Sequence, residues 1–531
     1  MNRLNRQCAG VLILATTAVL CQNSVSNGGF KVVVTKKALD FLGSYTNGLI
    51  ASYLSNNESH SVRGNLQDGV DIELSNLQFN DFNRDYFLSQ MHIEPGYGLV
   101  WQVNNLTIEA HSDYKSDAKH ATGTINLVVY RLNAFLLMSA RLHGDGHLKP
   151  MLDDCQVYIS AVRVQFGGSF SDHILTAFTD DLDKLAKDAL QQHLCSVFND
   201  ELVPALQQHL LTVPVSEHLF DAFYIHFGLV AAPTFDDDQR IITEHDGGVF
   251  AMMYDGIKQV PERRLPFTPN DIRVPSADSQ DQMLYLYMNN HTIASLLYWM
   301  DQFKMFDYEF SREQTHDEEL KEHLLTTCDT ICAGILFPSL ADDYPDSAVE
   351  IHVTTTQLPQ VRVVPERINV TITTLVTGYL TTLKNRLNKT EFLTAELILR
   401  SEIVNLDLDE HMVLSGDLAL TGYDLRDLKS IVEEINLDST SFLVDSLTDT
   451  FIKKDYAKKL VHGIQLPPVL DFSLRNPKVA IRSEVLVIQT DLCSESIIDE
   501  CPKSNRSSNS ARHQKTITTA PDYYDYHYGN S

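Results

Sequence analysis

Two periods alternate along this chain. Val32-Val33-Val34 reads as a short strand, after which apolar residues fall three and four apart at Ala38, Phe41, Leu42, Tyr45, Leu49, Ile50 and Tyr53. That spacing predicts a helix over 36–54 with Thr35 as its N-cap. The period then drops to two in Val70-Ile72-Leu74, Leu99-Trp101-Val103, Ile125-Leu127-Val129 and Val157-Ile159. Gly, Asn and Asp punctuate these runs, as in an antiparallel meander. A second helical stripe runs from about Asp172 to Leu211 through Ile174, Leu175, Phe178, Leu182, Leu185, Leu190, Leu194, Phe198 and Leu202, and Pro204 is expected to bend it. So long an amphipathic helix needs a long apolar partner, for which a strongly curved sheet is the natural candidate.

The stretch 233–282 has linker composition, with Pro233, Pro261, Pro266, Pro269 and Pro275 and the acidic run Asp236-Asp237-Asp238, although strands can be embedded in it. Then the grammar restarts. Met283 to Tyr287 reads as a strand, and Ile293, Leu296, Leu297 and Met300 share one face of a helix from Thr292 to Phe303. Strands are clearest at Val361-Arg362-Val363 and from Ile368 to Thr373. A late helix over 439–460 carries Phe442, Leu443, Leu447, Phe451 and Ile452, and a last alternating segment runs from Val479 to Ile488. Helix, meander, long helix and final strand thus occur twice. This predicts an α+β chain of two similar domains, 27–232 and 283–492, around a junction at 233–282, with a polar tail at 493–531 that is too poor in apolar residues to fold.

Bulk properties narrow the setting. The 531 residues are 44% hydrophobic and 21% charged, a globular composition, and the net charge of −28 repels nucleic acid. Arg3 and Arg6 precede an apolar run from Ala9 to Cys21 that is too short to span a membrane comfortably, so residues 1–21 read as a signal peptide cleaved near Cys21 and Gln22. Secretion is therefore expected. Cleavage leaves Cys155, Cys195, Cys328, Cys332, Cys493 and Cys501, an even set that suits an oxidising compartment but permits many pairings. Cys328 and Cys332 lie four apart in an apolar stretch read as helical and could bond locally. Cys493 and Cys501 could clip the chain end. Sequons stand at Asn57, Asn105, Asn290, Asn369, Asn388 and Asn505 as candidate glycosylation sites.

Enzyme signatures are missing: there is no GxSxG, no HExxH, no phosphate-binding loop and no dinucleotide fingerprint. The cysteine spacings do not suit zinc, and His143-Gly144-Asp145-Gly146-His147 reads better as a strand-connecting turn than as a metal site. No catalytic residue and no metal is expected.

Several stretches carry a family resemblance. Val33-Val34-Thr35-Lys36-Lys37-Ala38-Leu39-Asp40-Phe41, Tyr224 to Pro233, Leu265-Pro266-Phe267-Thr268-Pro269 with Met283 to Leu286, and Gly463 to Pro467 with Val479 to Asp491 follow one another over roughly 27–492. In this order the chain resembles the family of bactericidal/permeability-increasing, lipopolysaccharide-binding and lipid-transfer proteins, within the tubular lipid-binding superfamily. The resemblance implies a boomerang of two barrels, each a highly curved antiparallel sheet wrapped around a long helix, joined by a central sheet, with a phospholipid in an apolar pocket of each. It also implies that Cys155 and Cys195 form the family's disulfide.

The expected function is lipid binding, for transport or transfer or for innate-immune recognition. The alternative is an extracellular protein-interaction module in which bound lipid is structural. Phospholipid is the expected ligand, with no other cofactor, and transient membrane contact is compatible with the fold. Pocket candidates are Leu42, Leu49, Phe178 and Leu182 in the first barrel and Leu297, Met300 and Phe451 in the second, although each such apolar position can equally be plain core. The lipopolysaccharide-binding members carry basic tips on the first barrel. Here Ser55 to Asp71 sets Arg63 alone against Glu58, Asp68 and Asp71, and Arg84 lies beside Asp85 and Glu94, which argues against strong lipopolysaccharide binding.

Overall fold

The structure is a computed structural model. It describes residues 27–493 apart from 56–59, 67–69, 84–86, 117–121, 168–178, 255, 257, 278–279, 316–317, 329–331, 384, 410–411, 432–462 and 467–472. The expected signal peptide, the tail beyond Cys493 and the expected helix over 439–460 lie outside the described residues.

The chain opens with strand β1 (Phe30–Val34) and helix α1 (Lys36–Ser55). A long antiparallel meander follows, made of β2 (His60–Leu66), β3 (Val70–Phe82), β4 (Leu88–Glu94), β5 (Gly98–Ser116), β6 (Thr122–Leu142) and β7 (Leu148–Gly167). These six strands form the sheet of the first barrel in the order β2-β3-β5-β6-β7, with β4 on the other half of β5. Helix α2 (Thr179–Val197), a π-helical turn (Phe198–Leu202) and α3 (Val203–Leu211) run back along it. The single bent helix expected over 172–211 is thus two α-helices around a π turn. Pro204 follows directly on that turn, at the second residue of α3, in a backbone that stays right-handed helical through Leu202 and Val203.

Residues 233–282 hold several strands. After β8 (Ser216–Phe220) and β9 (Phe223–His226) come β10 (Thr234–Phe235), β11 (Ile241–His245), β12 (Val249–Tyr254) and β13 (Gln259–Glu262), and then β14 (Leu284–Met288). Strands β13-β12-β9-β8 form a four-stranded sheet. The central sheet has the order β10-β11-β1-β14-β23-β22, in which β22 is Ser473–Arg482 and β23 is Val485–Cys493. Strand β1 lies antiparallel between β11 and β14, and β14 in turn pairs with β23, so the first and last described strands are locked one strand apart. One face of this sheet, with Val33, Tyr285, Tyr287 and Val487, is covered by Ile272 and Val274 of the proline-rich stretch. The alternation from Val479 to Ile488 is not one strand: β22 and β23 form a hairpin whose turn holds Glu484 at φ 65°.

The second barrel begins with helix α4 (His291–Gln302) and β15 (Tyr308–Phe310), followed by short helices α5 (Glu318–His323), α6 (Ala333–Leu336) and α7 (Pro338–Asp343). Its sheet comprises β15, β16 (Ser347–Thr355), β18 (Arg367–Thr382), β19 (Asn385–Leu408), β20 (Val413–Ser430) and β21 (Ile464–Gln465), with β17 (Gln360–Val364) paired to β18. Cys328 and Cys332 are not helical. Cys332 is extended at φ −150°, immediately before α6, and the two are disulfide-bonded with Cα atoms 6.2 Å apart.

Curvature is written into both barrels by bulges. Register slips coincide with non-glycine residues of positive φ at Asn76, Asn105, Asn405 and Asp427, and in the central sheet at Asn476. A bulge needs an extra residue in a left-handed or helical conformation, and Asn and Asp enter the left-handed region more readily than other side chains do. The long strands can therefore bend without losing their ladders. Thr35 acts differently from expectation. Its carbonyl accepts the first helical bonds from Ala38 and Leu39, but its hydroxyl donates to the Gln282 and Met283 carbonyls and so pins α1 to the start of β14.

Candidate functional site

Two apolar cavities are lined by described residues. The larger, about 570 Å³, lies within the second barrel. Helix α4 lays Ile293, Leu296, Leu297 and Met300 along one wall, at the helical spacing of three and four. The facing wall is built from inward positions of neighbouring strands: Ile368, Val370 and Ile372 of β18, Leu399 and Ile403 of β19, and Leu418 of β20. Two-residue alternation puts these side chains on one face, and their outward neighbours keep the other face polar. The described lining contains no Asp, Glu, Lys, Arg or His. Its polar side chains include Thr374, whose hydroxyl donates to the Leu397 carbonyl at 3.1 Å, so it presents no unmet demand for a polar ligand.

The smaller cavity, about 390 Å³, sits where the first barrel meets the central sheet. Phe30 and Val32 of β1, Leu284 and Leu286 of β14, and Ile488 of β23 supply the sheet side. Leu148, Leu210 and Val215 close it from the barrel. Met288 and Leu466 line both cavities. This one also holds two histidines, His147 and His245. His245 stacks on Phe30 with ring centroids 4.7 Å apart. Its Nδ1–H donates to the Phe227 carbonyl at 2.7 Å, which leaves Nε2 to accept from the Thr243 hydroxyl at 2.8 Å. Burial dominates and depresses its pKa to about 4, so the ring is neutral near pH 7. His147 Nε2 donates to the Val213 carbonyl at 3.0 Å and ties the turn after β6 to the end of α3.

What such walls can do is bury hydrocarbon. Each methylene moved from water into them gains about 0.8 kcal/mol. Neither cavity brings together a nucleophile, a base and an oxyanion site.

Leu297 and Met300 line the larger cavity. Leu42 lines neither: it packs on the cluster of Phe41, Leu284, Leu408 and Leu466, because its side of α1 faces the central sheet. Leu49 and Leu182 lie in α1 and α2, but their side chains, like Phe178 and Phe451, are outside the described residues. Cys155 and Cys195 form a disulfide between β7 and α2. Cys493 is also disulfide-bonded, to a cysteine outside the described residues, where Cys501 lies. The expected lining residues all lie on helices, whereas one whole wall of the larger cavity is strand. The alternation from Ile368 to Thr374 was the available signal.

One cluster with metal-ligand chemistry also went unread. Glu309, Glu350 and His352 converge on β15 and β16, with Glu350 Oε1 2.6 Å from His352 Nε2. The Lys389 ammonium hydrogen-bonds the buried Glu350 carboxylate and already supplies the cluster with a cation.

The comparisons with known proteins agree with this geometry. A sequence model described as the LBP / BPI / CETP family, C-terminal domain, matches residues 222–493, just over half of the chain. The chain is 21% identical to the bactericidal permeability-increasing protein of Sebastes schlegelii over 486 residues, covering 90% of this chain and 98% of that protein. It is 20% identical to the lipopolysaccharide-binding protein of Mus musculus over 292 residues, 52% of this chain and 55% of that one. A crystal structure of lipopolysaccharide binding protein superposes with a TM-score of 0.55 at 16% identity, over 88% of this chain and 99% of that one. At that identity the superposition speaks for the fold alone, two curved sheets joined through a central sheet in a boomerang.

Proposed function

Because the chain belongs to the LBP / BPI / CETP family of lipid-binding proteins, we propose that it is a secreted carrier that holds phospholipid-like amphipathic lipids in its two apolar cavities and moves them between lipid surfaces. The observation that carries this reading is the cavity of about 570 Å³ in the second barrel, whose described lining has no charged side chain. Acyl chains fill such a space on hydrophobic burial alone, and the headgroup stays at the mouth in water. Among the described residues no helix is long and apolar enough to cross a membrane.

A transport role is favoured over recognition of lipopolysaccharide. The names of the relatives point to lipopolysaccharide, but phosphorylated lipid heads need cationic partners, and the stretches at 55–71 and 84–94 hold one arginine each among acidic residues. Secreted protein extracted with organic solvent should release phospholipid, identified by mass spectrometry, in about a two-to-one ratio to protein. Ile372→Trp fills the larger cavity and Val215→Trp the smaller, and each should remove about one lipid equivalent and leave the other. Labelled phospholipid should exchange between vesicles faster with the protein than in buffer. Bound lipid without exchange would favour the interaction module, and tight capture by immobilised endotoxin at physiological salt would favour recognition. An extract without lipid would end the carrier reading.

A further inference from the structure

The turn between β6 and β7 sets two histidines opposite each other. The His143 N–H donates to the His147 carbonyl at 2.8 Å, and Asp145 lies midway between them in the turn. Side chains of such a cross-strand pair leave the ladder on the same side, with Cβ atoms about 5 Å apart. Both rings close on the one carboxylate: Asp145 Oδ1 is 2.6 Å from His143 Nδ1 and 2.9 Å from His147 Nδ1. The turn is also held from behind. Gly146 has φ 90°, its carbonyl accepts from the Leu229 N–H at 2.8 Å, and a Cβ on it would lie 2.9 Å from Gly228 Cα.

His147 is the decisive member. Its Nε2 faces the Val213 carbonyl at 3.0 Å, and a carbonyl only accepts, so in the neutral ring Nε2 carries the proton. Nδ1 is then a bare lone pair. It is buried and has no hydrogen-bond partner among the described residues. The carboxylate oxygen it faces already accepts from the His147 backbone N–H at 3.1 Å. Two acceptors 2.9 Å apart repel each other, and a buried polar atom without a partner calls for an ion or a water between them. Histidines that bind metal through one nitrogen ordinarily donate the other N–H to a backbone carbonyl or a carboxylate, which is what His147 does at Val213.

We propose that His143, Asp145 and His147 form a zinc site on the wall of the smaller cavity, which Gly146 and His147 line. Donors in adjacent positions about 2.0–2.1 Å from one zinc ion stand about 3 Å apart. His147 Nδ1 and Asp145 Oδ1 already have that separation. His143 is 43% exposed, so its ring has room to turn and complete the set. Without metal, its Nδ1–H bonds the carboxylate; on binding, that proton passes to Nε2 through solvent and Nδ1 takes the ion. Water fills the fourth position on the outer side, where Asp145 is 47% exposed. Two imidazoles with one carboxylate suit zinc, whereas calcium and magnesium take oxygen donors. His143 to His147 remain the strand-connecting turn that their spacing predicts, and it is the closure of that turn that assembles the ligands. Bound zinc holds His147 in the tautomer that ties the turn to the chain after α3, and so stiffens this wall of the cavity.

The test uses the purified full-length protein, stripped with EDTA and titrated with zinc chloride in a calorimeter. One equivalent should bind at this site, and His143→Ala and Asp145→Asn should each weaken it by at least about tenfold. Glu309→Gln, in the cluster on β15 and β16, should leave it unchanged. Zinc should raise the unfolding midpoint of the natural chain by mass action and not that of the two turn variants. Midpoints in EDTA check that the variants are folded, and either folded variant decides the question. X-ray absorption at the zinc edge should show two imidazole nitrogens and no sulfur. Equal zinc affinity in the natural chain and a folded turn variant, a loss confined to Glu309→Gln, or no saturable zinc uptake overturns the proposal.

Discussion

In the first barrel, Phe87, Val103, Leu106, Val129, Leu132 and Ile159 meet Ile50 of α1 and Leu190 and Leu194 of α2 in a packed cluster. In the second, the corresponding inward positions, Ile368, Val370 and Ile372, face α4 across about 570 Å³ of open space. Among the described residues, the cavity that borders the first half lies at its seam with the central sheet, where strands from both ends of the described chain converge. The two described spaces therefore have different walls. One is walled by barrel strands and the other by the shared sheet. Polarity differs too. The seam cavity holds two histidines, whereas the described lining of the barrel cavity has no titratable side chain of Asp, Glu, His, Lys or Arg.

The sharpest way to break the comparison is through the disulfides, of which each half contains one among the described residues. Cys155 and Cys195 are 40 positions apart and tie β7 to α2, while Cys328 and Cys332 are 4 apart and close only the turn before α6. Constraint of the unfolded chain grows with the logarithm of loop length, giving about 4 kcal/mol for the first and about 2 kcal/mol for the second. The double variant Cys155→Ser/Cys195→Ser should therefore lower the denaturant midpoint far more than Cys328→Ser/Cys332→Ser. Equal losses would show that the turn disulfide holds more of the second barrel than its loop length implies.

A second prediction sets the seam against the barrels by pH. His245 has a folded pKa of about 4 because burial penalises the imidazolium, against an unfolded value of about 6.5. Below about pH 6.5 the unfolded chain binds a proton that the folded chain refuses, so stability falls with pH until about 4. The loss from this group is about 2 kcal/mol by pH 5. Burial also lowers the pKa of His226 and His291, which lie in or beside the same region, and their losses have the same sign. Unfolding curves between pH 7 and 5 should steepen accordingly, and His245→Gln should remove its share of the slope. Lipid in the seam cavity should be released at a higher pH than lipid in the barrel cavity. Release of both together would argue that the seam and the second barrel open as one unit.

Much of this was legible in the order of the residues. The periods of two and four placed α1, α4 and the long strands, because one-sided burial forces the pattern onto the sequence. Pro204 marked the neighbourhood of the irregularity, but the π turn at Phe198–Leu202 was not itself legible, because one added residue leaves no period of its own in the sequence. In residues 233–282 strands were expected but their partners were not: Ile241 to His245 pairs with β1 and Val249 to Ala251 with β9. The cavities were the least legible. Ile372 looks the same in sequence whether its far side meets a side chain or empty space, and only the packing of Leu297, Leu399 and Ile372 around a gap tells them apart.

The smallest expected effect concerns how each half's leading helix is fastened. Helix α4 takes both backbone groups of Val249: the Val249 N–H donates to Ser295 Oγ at 2.8 Å, and Trp299 Nε1 donates to the Val249 carbonyl at 2.9 Å. Ser295 is fully buried, at 0% exposure. Helix α1 makes an analogous grip on Ser89, whose N–H donates to Asn47 Oδ1 at 2.8 Å and whose hydroxyl shares a hydrogen bond with Thr46 Oγ1 at 2.6 Å. Asn47, however, is only half-buried, so water can replace it. Ser295→Ala leaves a buried N–H without an acceptor and should cost about 2 kcal/mol, whereas Asn47→Ala should cost about 1 kcal/mol. Hydrogen exchange at the two amides reads the difference directly: the Val249 amide should lose protection by a larger factor than the Ser89 amide. The reverse order would mean that the second barrel's helix is held mainly by the apolar contacts of Trp299 and Met300, and that lipid in the cavity beside it, rather than the hydrogen bonds to β12, keeps α4 in place.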